Sequence, residues 1–190
     1  MKVIPTKVRL LTSLKKAHFI LLTLTVTNLL FKYLTPYSLM SSLASLLGVL
    51  VILSGLLLFF LYWKPFKSVN LYFSIYLLGM FLLVAGFIVR GIFAGLVLSI
   101  LLFPITPDAV EYEQEGILIS TPFQGLMAAC CTYQVKERKL LLFEKKQAVF
   151  GASGLINFET MKITLTEKEI TLTYALDSNN ELKEKRIVRE

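Results

Sequence analysis

Not one aspartate or glutamate occurs before Asp108 in this 190-residue chain, whereas nine lysines and arginines do. Those nine (Lys2, Lys7, Arg9, Lys15, Lys16, Lys32, Lys64, Lys67 and Arg90) punctuate long apolar runs. From Asp108 onward the chain holds all thirteen acids against eleven bases, a net of −2. A half with bases and no acids, greasy between them, is what a bilayer selects, with cations left at headgroup level. The chain as a whole is 17% charged, below the roughly 25% of soluble domains. Its formal charge of +7 is therefore a membrane signature. A nucleic-acid footprint would put its bases on a soluble surface, so no nucleic-acid duplex is expected as a partner.

The apolar runs predict an integral membrane α-helical bundle over residues 1–107, followed by a small all-β antiparallel soluble domain over residues 108–190. Two spans are read at Ala17–Leu34 and Leu43–Trp63, each near the roughly 20 residues that cross a 30 Å hydrocarbon core. Tyr33, Tyr37, Tyr62 and Trp63 stand at their ends, where amphipathic rings favour the interface. The flank Thr35-Pro36-Tyr37-Ser38 carries no Ala-x-Ala pattern, so the first span reads as a retained anchor and not a cleaved signal. The third run, Leu71–Ile105, would be about 52 Å long as one helix. Arg90 interrupts it, and an arginine at mid-bilayer costs about 2.5–3.5 kcal/mol. An interfacial hairpin at Arg90-Gly91 removes that cost and yields spans at 71–89 and about 92–106, four in all. The rival is three spans, the third followed by an interfacial helix. Five bases before Ala17 place the N-terminus in the cytoplasm of a bacterial inner membrane, and Lys64 and Lys67 agree. Four spans then leave the tail cytoplasmic and three put it outside. Cys130-Cys131 reads as a pair of free thiols, which suits a reducing compartment and the four-span choice.

Beyond the joint at Pro104–Asp108 the periodicity changes to two. Ile117-Leu118-Ile119 follows a Glu115-Gly116 turn. Thr132–Val135 and Leu140–Phe143 read as a hairpin about the polar turn Lys136–Lys139. Lys162–Thr166 and Ile170–Tyr174 form a second hairpin, and Leu182–Arg189 a last strand. Short strands with short links imply a small barrel or curled sandwich. Phe123–Ala129 is read as a short helix or a loop dipping toward the membrane.

No catalytic constellation, cofactor loop or metal-ligand set can be assembled. His18, the one histidine, is expected at the interface at the entry to the first span. Without acids in residues 1–107, neither a histidine-based triad nor an intramembrane metal site can form there. Proton relays through membrane carboxylates are equally out of reach. Glu111, Glu113 and Glu115 are expected along one solvated strand face. The remaining candidates concern packing and lipid. Gly91, Gly95 and Ser99 recur every four residues and would let helix backbones approach. Asn28 would hydrogen-bond to a neighbouring helix, while a pore lining with Thr23 and Thr27 is the sharper reading. Lys183, Lys185, Arg186 and Arg189 are candidates for lipid contact if the tail is cytoplasmic.

The functional expectation is a non-enzymatic membrane protein acting as a subunit or assembly partner of a membrane complex. Its partners would be lipids and either further copies of itself or other membrane subunits. The alternative is a membrane effector whose β domain senses a ligand such as a signalling nucleotide while its helices oligomerise or permeabilise the bilayer. A headgroup-binding tail is a third reading.

Overall fold

The computed structural model describes residues 6–63, 68–89, 91–103, 105–125, 131–139, 142–166, 169–176 and 182–188. Its elements are α1 (Thr6–Leu34), β1 (Tyr37–Leu39), α2 (Ser41–Leu61), α3 (Ser68–Val89), α4 (Ile92–Leu102), β2 (Ala109–Gln114), β3 (Ile117–Thr121), β4 (Thr132–Lys139), β5 (Phe143–Gly151), β6 (Ile156–Leu165), β7 (Glu169–Leu176) and β8 (Leu182–Val188). They divide into two compact units. One is Met1–Leu30, Leu43–Thr106 and Gly125–Met127; the other is Phe31–Ser42, Pro107–Gln124 and Ala128–Glu190.

In the helical unit, α1, α2 and α3 are long and apolar enough to cross a membrane. The fourth crossing expected at 92–106 meets a different object. Helix α4 has 11 residues, about 16 Å at 1.5 Å each, half of the roughly 30 Å needed. The break before it does fall at the expected place, between Val89 and Ile92. Gly91 sits there at φ 135°, a conformation that side chains resist. Helices α3 and α4 approach closely, since a Cβ on Gly86 would lie 2.9 Å from the Leu98 side chain. Arg90 itself lies outside the described residues. Helix α2 supplies the most buried face of the unit, with Gly48, Val51, Gly55, Leu58 and Phe59 at spacings of three and four, one stripe of a 3.6-residue helix.

The β unit holds a five-stranded antiparallel sheet ordered β1-β5-β4-β3-β2 and a three-stranded sheet ordered β6-β7-β8. Alternate residues of both sheets build one core: Ile117, Ile119, Val135, Phe150, Ile163, Ile170, Leu172 and Ile187 are all buried in it. Side chains join the sheets at one seam, where Tyr112 donates to the Met161 carbonyl at 3.2 Å and the Ile163 amide donates to Gln114 Oε1 at 3.4 Å.

Two registers depart from the sequence reading. The polar run Lys136–Lys139 is not a turn. It continues β4, where Lys136 pairs with Lys146 and Leu118, and the chain reverses only between Lys139 and Phe143. Local polarity suggests a turn there because the buried partners of Lys136, Asp108 and Glu144, lie outside the run. The second departure is β1. The short loop between α1 and α2 becomes an edge strand, with Tyr37 opposite Lys145, Ser38 opposite Glu144 and Leu39 opposite Phe143. Amide bonds extend the pairing, from Lys146 N–H to the Pro36 carbonyl and from Met40 N–H to the Leu142 carbonyl, both 2.8 Å.

Candidate functional site

Two buried polar clusters stand out, one in each unit. In the helical unit the centre is His18, fully buried among the helices at 0% exposure. It lies on the less exposed stripe of α1 (Leu11, Leu14, His18, Leu21, Thr25 and Asn28), whose spacing is that of one helical face. Its Nδ1 is 2.8 Å from Ser54 Oγ on α2. Its Nε2 is 3.2 Å from the Tyr72 hydroxyl and 3.3 Å from that of Tyr76, both on α3. The two hydroxyls are 3.0 Å apart. Ser54 spends its own proton on the Val51 carbonyl at 3.0 Å. Nδ1–H donating to Ser54 and Nε2 accepting from a tyrosine hydroxyl would satisfy every group with a neutral imidazole. Phe19, Tyr72, Phe73 and Tyr76 ring it edge-on at centroid distances of 5.3–5.9 Å. Room for that arrangement comes from Gly55, where a Cβ would meet the Tyr76 ring at 2.6 Å.

In the β unit the centre is Lys136, 5% exposed. Its Nζ donates to Asp108 Oδ2 at 2.7 Å and to Glu144 Oε2 at 3.0 Å. Lys32, in the last turn of α1, adds a second ammonium 3.7 Å from Asp108 Oδ2. Ser41, the first residue of α2, completes the cluster. Its hydroxyl accepts from Asp108 N–H at 2.8 Å and its amide donates to Glu144 Oε1 at 3.4 Å. A carboxylate there also complements the positive end of α2. Burial alone would push the Asp108 carboxyl up. The Lys136 ammonium, joined by Lys32 and the Phe123 amide, overrides it and holds the group below its ordinary range. Burial would likewise lower Lys136, but Asp108 and Glu144 carry it above its ordinary value. Two bases against two acids leave the cluster neutral overall, the condition under which buried charge is tolerable.

The other expected residues are scattered. Ser99 turns its hydroxyl on the Gly95 carbonyl and packs against Gly125, where a Cβ would lie 2.9 Å from Ser99 Oγ. Part of the 123–129 segment thus reaches α4. Gly91 is exposed, with nothing within 4 Å of a Cβ. Asn28 is half-buried. Thr23 bonds the Phe19 carbonyl of its own helix. On β8, Lys183 and Lys185 share a sheet face with buried Ile187 while Arg186 points the opposite way. Arg189 lies outside the described residues. Glu115 sits at the β2–β3 turn with φ 51°, off the strand face that it was expected to share with Glu111 and Glu113. Cys131 is disulfide-bonded, contrary to the expected free thiols, and its φ of 80° is not that of an ordinary strand residue. Cys130, the only other cysteine in the sequence, lies outside the described residues. Among the described residues no group of three or more His, Cys, Asp or Glu is placed to hold a metal.

The architecture defines a class: three helices long and apolar enough to cross a membrane, joined to a two-sheet antiparallel β unit. The chain matches no protein family, no curated protein and no solved structure.

Proposed function

We propose that the chain is an integral membrane protein of three crossings that serves, without enzymatic activity, as a subunit or assembly partner of a membrane complex. The carrying observation is β1. The α1–α2 loop and strands β2–β5 belong to one sheet, so they lie on one side of any membrane that the helices cross. An even number of crossings must therefore separate Met40 from Asp108. Helices α2 and α3 supply two, and α4 adds none.

Positive-inside bias at the N-terminus and around Lys64 and Lys67 then sets the β unit on the side away from the cytoplasm. That placement removes the reason for a cytosolic nucleotide as ligand, and with it the attraction of the sensor-effector reading. A partner role is supported by α3. Its described side chains are buried only at Asn70 and Phe73, and an open groove lined by Ser74, Leu77, Leu78, Phe81 and Val84 runs along it. Apolar grooves of this kind accept a neighbouring helix.

Two measurements test the reading. Glu159→Cys should label with a membrane-impermeant maleimide in intact spheroplasts, and labelling only after lysis would reverse the topology. Extraction from native membranes in mild detergent should yield the chain in a larger assembly. A chain that always migrates alone as a monomer would remove the partner role.

A further inference from the structure

Where β5 begins, the β4–β5 hairpin leaves two apolar side chains exposed among the described residues. Leu142 is 53% exposed and Phe143 43% exposed, and they follow Leu140 and Leu141, which lie outside the described residues. A tip of this kind at the end of a water-soluble hairpin exposes apolar surface at a cost, and its position in the chain names the occupant. The Met40 amide donates to the Leu142 carbonyl, and Met40 directly precedes the first residue of α2. Phe143 pairs with Leu39. Where α1 leaves the bilayer and α2 enters it, the tip is one hydrogen bond away.

The surrounding side chains have the chemistry of that depth. Register places Tyr37, Leu39, Phe143 and Lys145 on one face of the sheet. The Lys145 ammonium stands 5.8 Å from the Tyr37 ring centroid. Tyr33 and Leu34, at the end of α1, are 68% and 80% exposed. Aromatic rings, leucines and flanking ammonium groups together form the pattern of an interfacial anchor, with rings among the headgroups and cations on their phosphates. We infer that the β4–β5 tip, through Leu142 and Phe143, inserts into the lipid interface of the leaflet from which α1 emerges. It holds the hairpin on the membrane surface as a second attachment beside the helices. The inference rests on the membrane reading above.

Fluorescence from single tryptophans separates the two. The native Trp63 is the sole tryptophan and would be changed to phenylalanine. In phosphatidylcholine–phosphatidylglycerol vesicles brominated near the headgroup, Leu142→Trp should emit to the blue and lose most of its emission. Phe143→Trp provides the same readout at the adjacent position should Leu142→Trp not fold. Glu159→Trp, on an exposed strand position, should keep its emission. Leu53→Trp, on the outer face of α2, should be quenched by bromines deep in the acyl chains. Quenching at Leu53 without quenching at either tip position would overturn the anchor and leave the membrane reading intact. If Leu53→Trp also keeps its emission, the membrane reading fails and the anchor with it.

Discussion

The two buried polar clusters are made of opposite materials. Around His18, four side chains (His18, Ser54, Tyr72 and Tyr76) and the Val51 carbonyl are satisfied without a formal charge, on three helices of an apolar unit. Around Lys136, two ammonium groups and two carboxylates meet in the β unit, partly bordered by water through Lys32, which is 41% exposed. On the proposed reading, with the helices in a membrane and the β unit in water, the difference follows from solvent. Lipid offers an unpaired charge nothing, so a bundle without acids is restricted to neutral hydrogen bonds whose unmade alternatives are modest. A soluble domain can afford buried ions, and it then depends on each of them, because removing one strands the others.

The sharpest way to break that contrast is Lys136→Met. It leaves Asp108 and Glu144 facing one another without a full counter-charge, and the expected loss is about 3–5 kcal/mol. An eight-stranded unit of this size has little stability to lose. Limited proteolysis in detergent should find strands β2–β8 cleaved at temperatures where the parent resists, with α2 and α3 still protected. Combining Lys136→Met with Asp108→Leu and Glu144→Leu should recover much of the loss. Recovery failing would mean that the cluster is needed for more than charge balance.

Acid offers a smaller version of the same test. Asp108 has a folded pKa below its unfolded value, so its stabilisation is complete above the ordinary carboxylate range and fades as pH falls through the folded value. Lys136 has its pKa raised, so its contribution is complete below the ordinary lysine range and fades only as pH rises through the folded value. The β unit should therefore hold its melting temperature across the neutral range and lose it at strongly acidic and strongly alkaline pH. Residues 1–107 contain no carboxylate side chain, so the acid limb should be missing from any signal specific to the helical unit. A helical signal that loses stability in parallel with the β signal in the carboxylate range would break the comparison.

Next in size is Gly55→Ala. Its Cβ would stand 2.6 Å from the Tyr76 ring, against the tyrosine that His18 needs. Overpacking of this kind costs about 1–3 kcal/mol. The melting temperature of the helical unit should fall while the proteolytic resistance of β2–β8 is unchanged.

What could be read from the sequence divides along the same line as the clusters. Apolar length and the acid-free stretch locate α1, α2 and α3, and strict alternation locates the second half of β6 and β7. Each is a local pattern. The misreadings occur where distant partners decide. Lys136-Glu137-Arg138-Lys139 looks like a turn because Asp108 and Glu144 are not adjacent to it in the chain. Tyr37-Ser38-Leu39 is too short to announce a strand, and becomes one only because β5 offers an edge. His18 is expected at the entry to the first span, and its burial against Ser54, Tyr72 and Tyr76 is a packing fact that the local sequence does not announce. Gly55 on α2, where a Cβ would stand 2.6 Å from the Tyr76 ring, carries no such regular spacing as Gly91, Gly95 and Ser99 and is not announced by the sequence.

The smallest expected effect is the one that most sharpens the comparison. His18→Leu removes every hydrogen bond of the imidazole, yet hydrogen bonds between helices in lipid average about 0.6 kcal/mol because the separated helices find other partners. Ser54 already bonds the Val51 carbonyl, and Tyr72 and Tyr76 retain each other. Leucine also keeps most of the apolar contact with Phe19 and Phe73. The loss should be about 1–2 kcal/mol, well below that of Lys136→Met, even though His18 is the more deeply buried of the two residues. A loss from His18→Leu equal to or above that of Lys136→Met would mean that the imidazole carries charge in the native bundle. The distinction between a neutral network in lipid and an ionic one in water would then be wrong at its centre.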